Sequence, residues 1–146
     1  QIMKADAISG IAAKLADEYS RDPCCIARSL GIIVTFEPLY QINGFYNTAY
    51  RQKFIHINSQ LTRREQRFVC AHELGHAILH PDNNTHFLRN HTLYPISRYE
   101  KEATYFASCL LIRDDDLTEY RHFTYEQLGK MFGVDEKIAR LRVEGL

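Results

Sequence analysis

Apolar residues near the start of the chain recur at a helical interval. Ile8, Ile11, Ala12, Leu15 and Tyr19 mark one face of an amphipathic helix. Asp22-Pro23 then supplies an N-cap and a first-turn proline for a short helix that closes at Gly31. The pattern changes at Ile32, where a β-branched and aromatic run to Phe36 predicts a strand. Residues 44–50 and 53–58 are two more strand-like runs, separated only by Arg51-Gln52, and predict a hairpin. Helical spacing returns after Thr62-Arg63-Arg64-Glu65, a capping box in which the Thr62 hydroxyl and the Glu65 carboxylate satisfy each other's backbone N–H groups. Phe68, Val69, Ala71, Leu74, Gly75, Ile78 and Leu79 form the apolar side of that helix, and Pro81 follows its end.

From Pro81 to Arg98 no period survives, which predicts a long loop of the kind that often carries function. A second strong helix is predicted from Tyr99 to Ile112. The tail from Thr124 to Leu146 reads as two short helices divided near Gly133. At 146 residues the chain is one domain's worth, with residues 1–112 as its core and 113–146 as a helical extension.

Composition narrows the function. Hydrophobic residues at 45% and charged residues at 25% are ordinary globular values, which excludes disorder and fibres. Lys plus Arg equals Asp plus Glu at 18 each, so there is no excess basic charge for direct nucleic-acid binding and no acidic tail. No apolar run reaches the roughly 18 residues a membrane span needs, and the first residues lack the pattern of a signal peptide. Cys24 and Cys25 are adjacent, Cys70 and Cys109 fall in helical apolar patterns, and no C-x-x-C occurs. Reduced thiols packed as small apolar groups in a cytoplasmic protein are therefore expected.

The chemistry lies on the capped helix. His72 and His76 stand four residues apart, about 40° around the axis and roughly 6 Å along it, so two imidazoles can converge on one ion. Glu73 lies about 100° around from His72 and can take a proton from a water beside a metal without ligating it. With seven His and ten Glu, shuffling this composition yields H-E-x-x-H in about two chains per hundred, so the motif alone is suggestive. Its setting among Leu74, Gly75 and Ala77 strengthens it, because polar groups in an apolar helix need partners.

A catalytic zinc site needs a third protein ligand and an open position. Leu79 and Asp82 occupy the places where the longer motif carries Gly and His, so the ligand must come from elsewhere. Glu100 and Glu102 open the second helix. Its apolar stripe centres near Ala103, Ala107 and Leu110, which puts Glu100 about 50° from the centre and Glu102 about 110°. Glu100 is thus expected to face the core as the ligand and Glu102 to be solvated.

Gln66-Arg67-Phe68 leading into Ala71-His72-Glu73-Leu74-Gly75-His76, Leu79-His80, and Glu100-Lys101-Glu102-Ala103 with Phe106-Ala107 and Leu110-Leu111 closely resemble the ImmA/IrrE family of metallopeptidases. The likeness extends upstream through Asp22-Pro23, Gly44-Phe45-Tyr46 and Ile55-His56-Ile57-Asn58. It implies a zincin-like α+β fold, in which a small twisted sheet packs against the active-site helix and a second, ligand-bearing helix. It also implies zinc held by His72, His76 and Glu100, with Glu73 as general base. A protein substrate is implied as well, a helix-turn-helix repressor of a phage or mobile element whose cleavage induces gene expression. Thr104 and Arg113 depart from the family pattern, standing where Asn and Pro are usual.

His80, one turn beyond His76, and His56, on the last strand, are candidate substrate contacts; His86, His91 and His122 fall in predicted loops. Tyr94, Tyr99 and Tyr105 are the nearest hydroxyls for an oxyanion. Residues 53–58 are expected to form an edge strand along which a peptide lies extended. The competing class is a non-proteolytic regulator or sensor. Gln127-Leu128-Gly129, Gly133-Val134 and Ile138-Ala139 have a helix-turn-helix look, but four basic residues meet four acidic ones between Thr124 and Leu146. Packing or substrate docking is therefore the expected role of the tail.

Overall fold

The computed structural model describes residues 3–82 and 96–146. In chain order the elements are α1 (Ala5–Glu18), α2 (Pro23–Ser29), β1 (Ile33–Glu37), β2 (Gly44–Ala49), β3 (Gln52–Asn58), α3 (Arg63–Leu79), α4 (Ile96–Leu111), α5 (Asp114–Glu119), α6 (Tyr125–Phe132) and α7 (Glu136–Glu144). The fold is α+β, and among the described residues the strands form one three-stranded sheet of order β1-β3-β2. The expected long loop lies largely at positions 83–95, outside the described residues, and α4 begins at Ile96 rather than Tyr99.

β3 is the central strand. It runs parallel to β1, with Val34 opposite Ile55, and antiparallel to β2, with Tyr46 also opposite Ile55. This corrects the expectation that residues 53–58 form an edge, because their backbone is paired on both sides. Tyr50 and Arg51 both have positive φ, 53° and 65°, as a two-residue hairpin turn of matching twist requires. The turn therefore falls one residue earlier than Arg51-Gln52.

Strand alternation sends Ile55 and Ile57, both fully buried, to the face covered by α3. Tyr46 joins them, and its hydroxyl donates to the Pro81 carbonyl at 2.8 Å, tying β2 to the end of α3. The capping box forms as expected: the Glu65 N–H donates to the Thr62 hydroxyl at 3.2 Å, and the Thr62 N–H to the Glu65 carboxylate at 3.0 Å. Such a cap stabilises a helix by about 1 kcal/mol and here sets the register of the helix that carries the histidines. Buried residues then run without a break from Val69 to Ala77.

α4 lies between α3 on one side and α1 on the other, and most of the main core gathers among α1, the sheet, α3 and α4. A smaller cluster of Ile112, Leu128 and Ala139 holds α6 and α7 against the end of α4. Arg142 fastens it, donating from Nε to the Ile112 carbonyl at 2.7 Å. The four cysteines are free; the Cys24 and Cys70 sulfurs lie 3.0 Å apart between α2 and α3. No helix among the described residues is long and apolar enough to cross a membrane.

Candidate metal centre

α3 and α4 bring three donor side chains together. One ligand atom each from His72, His76 and Glu100 falls within a sphere where all lie within 4.8 Å of one another. The Glu100 carboxylate spans the two rings: Oε2 is 2.6 Å from His72 Nε2, and Oε1 is 3.3 Å from His76 Nε2. Burial works to raise the Glu100 carboxyl. The hydrogen bond to His72 and the two adjacent imidazoles outweigh it and hold the group well below the usual carboxylate range. His76 Nε2 is buried and, among the described residues, makes no hydrogen bond of proper geometry. A buried ring nitrogen in this position, beside a second imidazole and a carboxylate, is an arrangement of donors that suits a transition-metal ion. The residues present fit a metal ion.

Glu73 is 1% exposed and shares a cleft of about 230 Å³ with Asn43, Phe68, Val69, His72, Thr104 and Ile138. Two glycines set how closely the elements around it approach. A Cβ on Gly75 would meet the Ala103 carbonyl oxygen at 3.0 Å, so glycine lets α4 close on α3. A Cβ on Gly44 would meet Val69 Cγ1 at 2.5 Å and the His56 carbonyl at 2.7 Å, so glycine lets β2 start directly beside α3. Asn58, 1% exposed, accepts from the Leu39 and Gln60 N–H groups and donates to the Tyr40 carbonyl. It thereby holds the loop that leads to Asn43.

The structure brings Glu100 to the histidines, but Glu102 is not solvated. It is 2% exposed and lies 2.8 Å from His80. The helical arithmetic treated α4 as packed on one side only. With α1 on its other flank and the Met3 backbone N–H donating to Glu102, the buried sector is wider than the α3-facing stripe.

His80 does not face solvent or the cleft either. It is 5% exposed behind His76, with Tyr99 packed edge-on at 4.6 Å, and burial pushes its imidazole below the ordinary value despite the nearby Glu102 carboxylate. His56 is held by Glu37, Thr35 and Asn47 and stacks on Phe45. Alternation puts it on the sheet face opposite Ile55 and Ile57, away from α3, so neither expected substrate contact lines the cleft. Tyr105 is buried, with Asp6 of α1 and Cys109 among its electrostatic neighbours, and burial raises its phenol to about 12. Tyr94, His86 and His91 lie outside the described residues.

Thr104, a departure from the family pattern, faces the donors. It follows Glu100 by one helical turn and so shares its face, and its hydroxyl lies 3.1 Å from His72 Nδ1. Ile138 and Asn43 carry no local signal, because only tertiary folding brings α7 and the β1–β2 loop to the cleft.

Fold and donor cluster together fit a class, the metallopeptidases of zincin-like architecture. Over residues 27–144 the chain matches the peptidase family described as the IrrE N-terminal-like domain, and it belongs to that family. It is 37% identical over 139 residues to an uncharacterized immunity region protein 2 of Bacillus phage phi105, covering 92% of this chain and 88% of the relative. It is also 37% identical over 109 residues to metallopeptidase ImmA of Bacillus subtilis strain 168, covering 70% of this chain and 63% of ImmA. A stretch of 54 residues is 43% identical to the radiation response metalloprotease IrrE of Deinococcus deserti, 37% of this chain but 18% of IrrE. Among solved structures, a Mycobacterium tuberculosis transcriptional regulator superposes with TM-score 0.64 at 16% identity, over 97% of this chain and 47% of the regulator. At that identity the likeness is one of fold.

Proposed function

We propose that the chain is a zinc-dependent, site-specific endopeptidase that cleaves a helix-turn-helix repressor of a phage or mobile element and so induces gene expression. The observation that carries the peptidase reading is the Glu100 carboxylate set against both His72 and His76, with Glu73 and His72 lining one cleft. The phage immunity-region relative and the name of ImmA support the repressor setting.

In this reading His72, His76 and Glu100 hold the ion, a His₂Glu donor set that leaves room for water or substrate. When bound, zinc supplies Lewis-acid polarisation at the scissile carbonyl and at the attacking water. Glu73 takes a proton from that water on its carboxylate and returns it to the departing amine nitrogen. Its seat in the cleft wall, 1% exposed, keeps bulk water from competing for that proton. Phe68, Val69 and Ile138 offer an apolar wall to a substrate side chain. Thr104 holds the His72 ring from behind.

The test pairs the wild type with Glu73→Gln, against a purified helix-turn-helix repressor of a phage or mobile element, with and without chelator. Glu73→Gln keeps the ligands and the size of the side chain but cannot act as a base. Cleavage falls by about 10²–10⁴-fold while zinc content stays at one per chain. Target-gene induction in cells by Glu73→Gln at the wild-type level would instead support the non-proteolytic regulator.

A further inference from the structure

Glu102 is an interior carboxylate that the proposed peptide chemistry does not use. Its Oε2 accepts from the Met3 backbone N–H at 3.0 Å, and its Oε1 lies 2.8 Å from His80 Nε2. His80 in turn sets Nδ1 3.2 Å from His76 Nδ1. The three contacts form one line from the Met3 backbone to the ring of His76, and both Glu102 and His80 are almost completely enclosed.

Donor and acceptor bookkeeping gives the line a direction. A carboxylate oxygen accepts, so the proton of His80 sits on Nε2. A neutral imidazole protonated at Nε2 has a bare Nδ1, so His80 accepts there and His76 must donate from its own Nδ1. A neutral His76 protonated at Nδ1 keeps a lone pair on Nε2. That nitrogen is the one turned toward Glu100, 3.3 Å from Oε1. His72 is held differently: the Thr104 hydroxyl beside its Nδ1 can donate or accept and imposes no tautomer.

We propose that Glu102 and His80 are positioning residues, with Glu102 acting through His80 to hold His76 as the Nδ1–H tautomer with Nε2 free for the metal. The proposal rests on reading His72, His76 and Glu100 as the ligands. Outer partners of this kind orient a ligating histidine and raise its basicity. Here α4 supplies both the ligand Glu100 and, two residues on, the anchor of the relay.

The experiment measures Zn²⁺ affinity by competition with a chromophoric chelator, alongside long-range ¹H–¹⁵N imidazole spectra of the zinc-free and zinc-loaded protein. Glu102→Gln presents an amide that can donate to His80 and reverse the line, and it weakens zinc binding by about 10–100-fold. His80→Phe keeps the packing on Tyr99 without hydrogen bonds and loses a similar factor. His80→Gln, with both a donor and an acceptor, recovers part of it. The double variant His80→Phe with Glu102→Gln loses no more than His80→Phe alone, because Glu102 acts through His80. Wild-type spectra show His80 protonated at Nε2 and His76 at Nδ1 before zinc is added. That measurement decides the matter even if the Glu102 variant fails to fold. A wild type that binds no zinc overturns the ligand assignment and this proposal with it. A wild type that binds zinc while Glu102→Gln binds equally tightly, or zinc-free His76 protonated at Nε2, overturns the relay alone.

Discussion

Gly75 of α3 meets the backbone of Ala103 on α4 with no side chain between them; a Cβ there would stand 3.0 Å from the Ala103 carbonyl oxygen and 3.1 Å from its Cα. Gly10, in the middle of α1, would place a Cβ with nothing within 4 Å. The same substitution should therefore have opposite signs at the two sites. Gly10→Ala gains about 0.5–1 kcal/mol, since alanine is the better helix residue. Gly75→Ala loses about 1–2 kcal/mol, because the backbone it presses on cannot rotate away and the overpacking outweighs the helical gain. Thermal unfolding reads both, at roughly 2–4 °C per kcal/mol for a chain of this size. If both variants shift the same way, the helix contact is looser than the structure has it.

The same contact sets the distance from Glu100 to the histidines, so metal retention is the second expectation. Glu100→Ala, His72→Ala and His76→Ala, each dialysed against a mild chelator, should retain far less than one zinc per chain, while the wild type keeps one. The positions of the three donors, all within 4.8 Å, motivate this. Full retention by Glu100→Ala would remove it from the ligand set.

Acidification should release the metal, and the sign follows from the groups involved. Glu100 is held well below the usual carboxylate range, so it stays ionised from about pH 5 upward and adds no proton competition there. The competition falls to His72 and His76, which must shed protons to bind. Affinity therefore falls as the pH is lowered. Chelator competition from pH 5 to 8 measures the slope. Affinity that rises as pH falls would contradict imidazole ligation.

Most of the fold and the clustering of three donor side chains could be read because they are local. Thr62 and Glu65 announce the start of α3, the four-residue spacing places His72 and His76 on one face, and the stripe of α4 aims Glu100 inward. What escaped depends on partners distant in sequence. Glu102 looks exposed until α1 and Met3 close over it, and His80 looks terminal until Glu102 reaches it. β3 reads as readily for an edge as for a centre, since pairing order is not a local property. α5 was missed because six residues hold no periodic stripe. Its three first-turn aspartates, with Asp116 accepting from the Arg113 N–H at 2.9 Å, are nevertheless a helix-start signal.

Ile138 separates two roles for the C-terminal helices. Ile112, Leu128 and Ala139 bury against one another, which accounts for packing. Ile138, next to Ala139 on α7, is half-buried and instead lines the cleft with Glu73, Phe68 and Val69. If that wall receives a substrate side chain, shortening it to Ile138→Ala removes apolar contact at the reacting end of the peptide and leaves the ligands untouched. kcat/KM on a peptide spanning the cleaved bond should fall about tenfold, the scale of a lost aliphatic contact, with zinc content unchanged. Ile138→Leu, similar in volume, should stay close to wild type. Val143 lies on the same helix, 47% exposed and absent from the residues lining the cleft, so Val143→Ala should cleave normally. Cleavage by Ile138→Ala at the wild-type rate would confine α7 to packing. A parallel loss in Ile138→Ala and Val143→Ala would point to general loosening of the helix rather than to a contact with substrate.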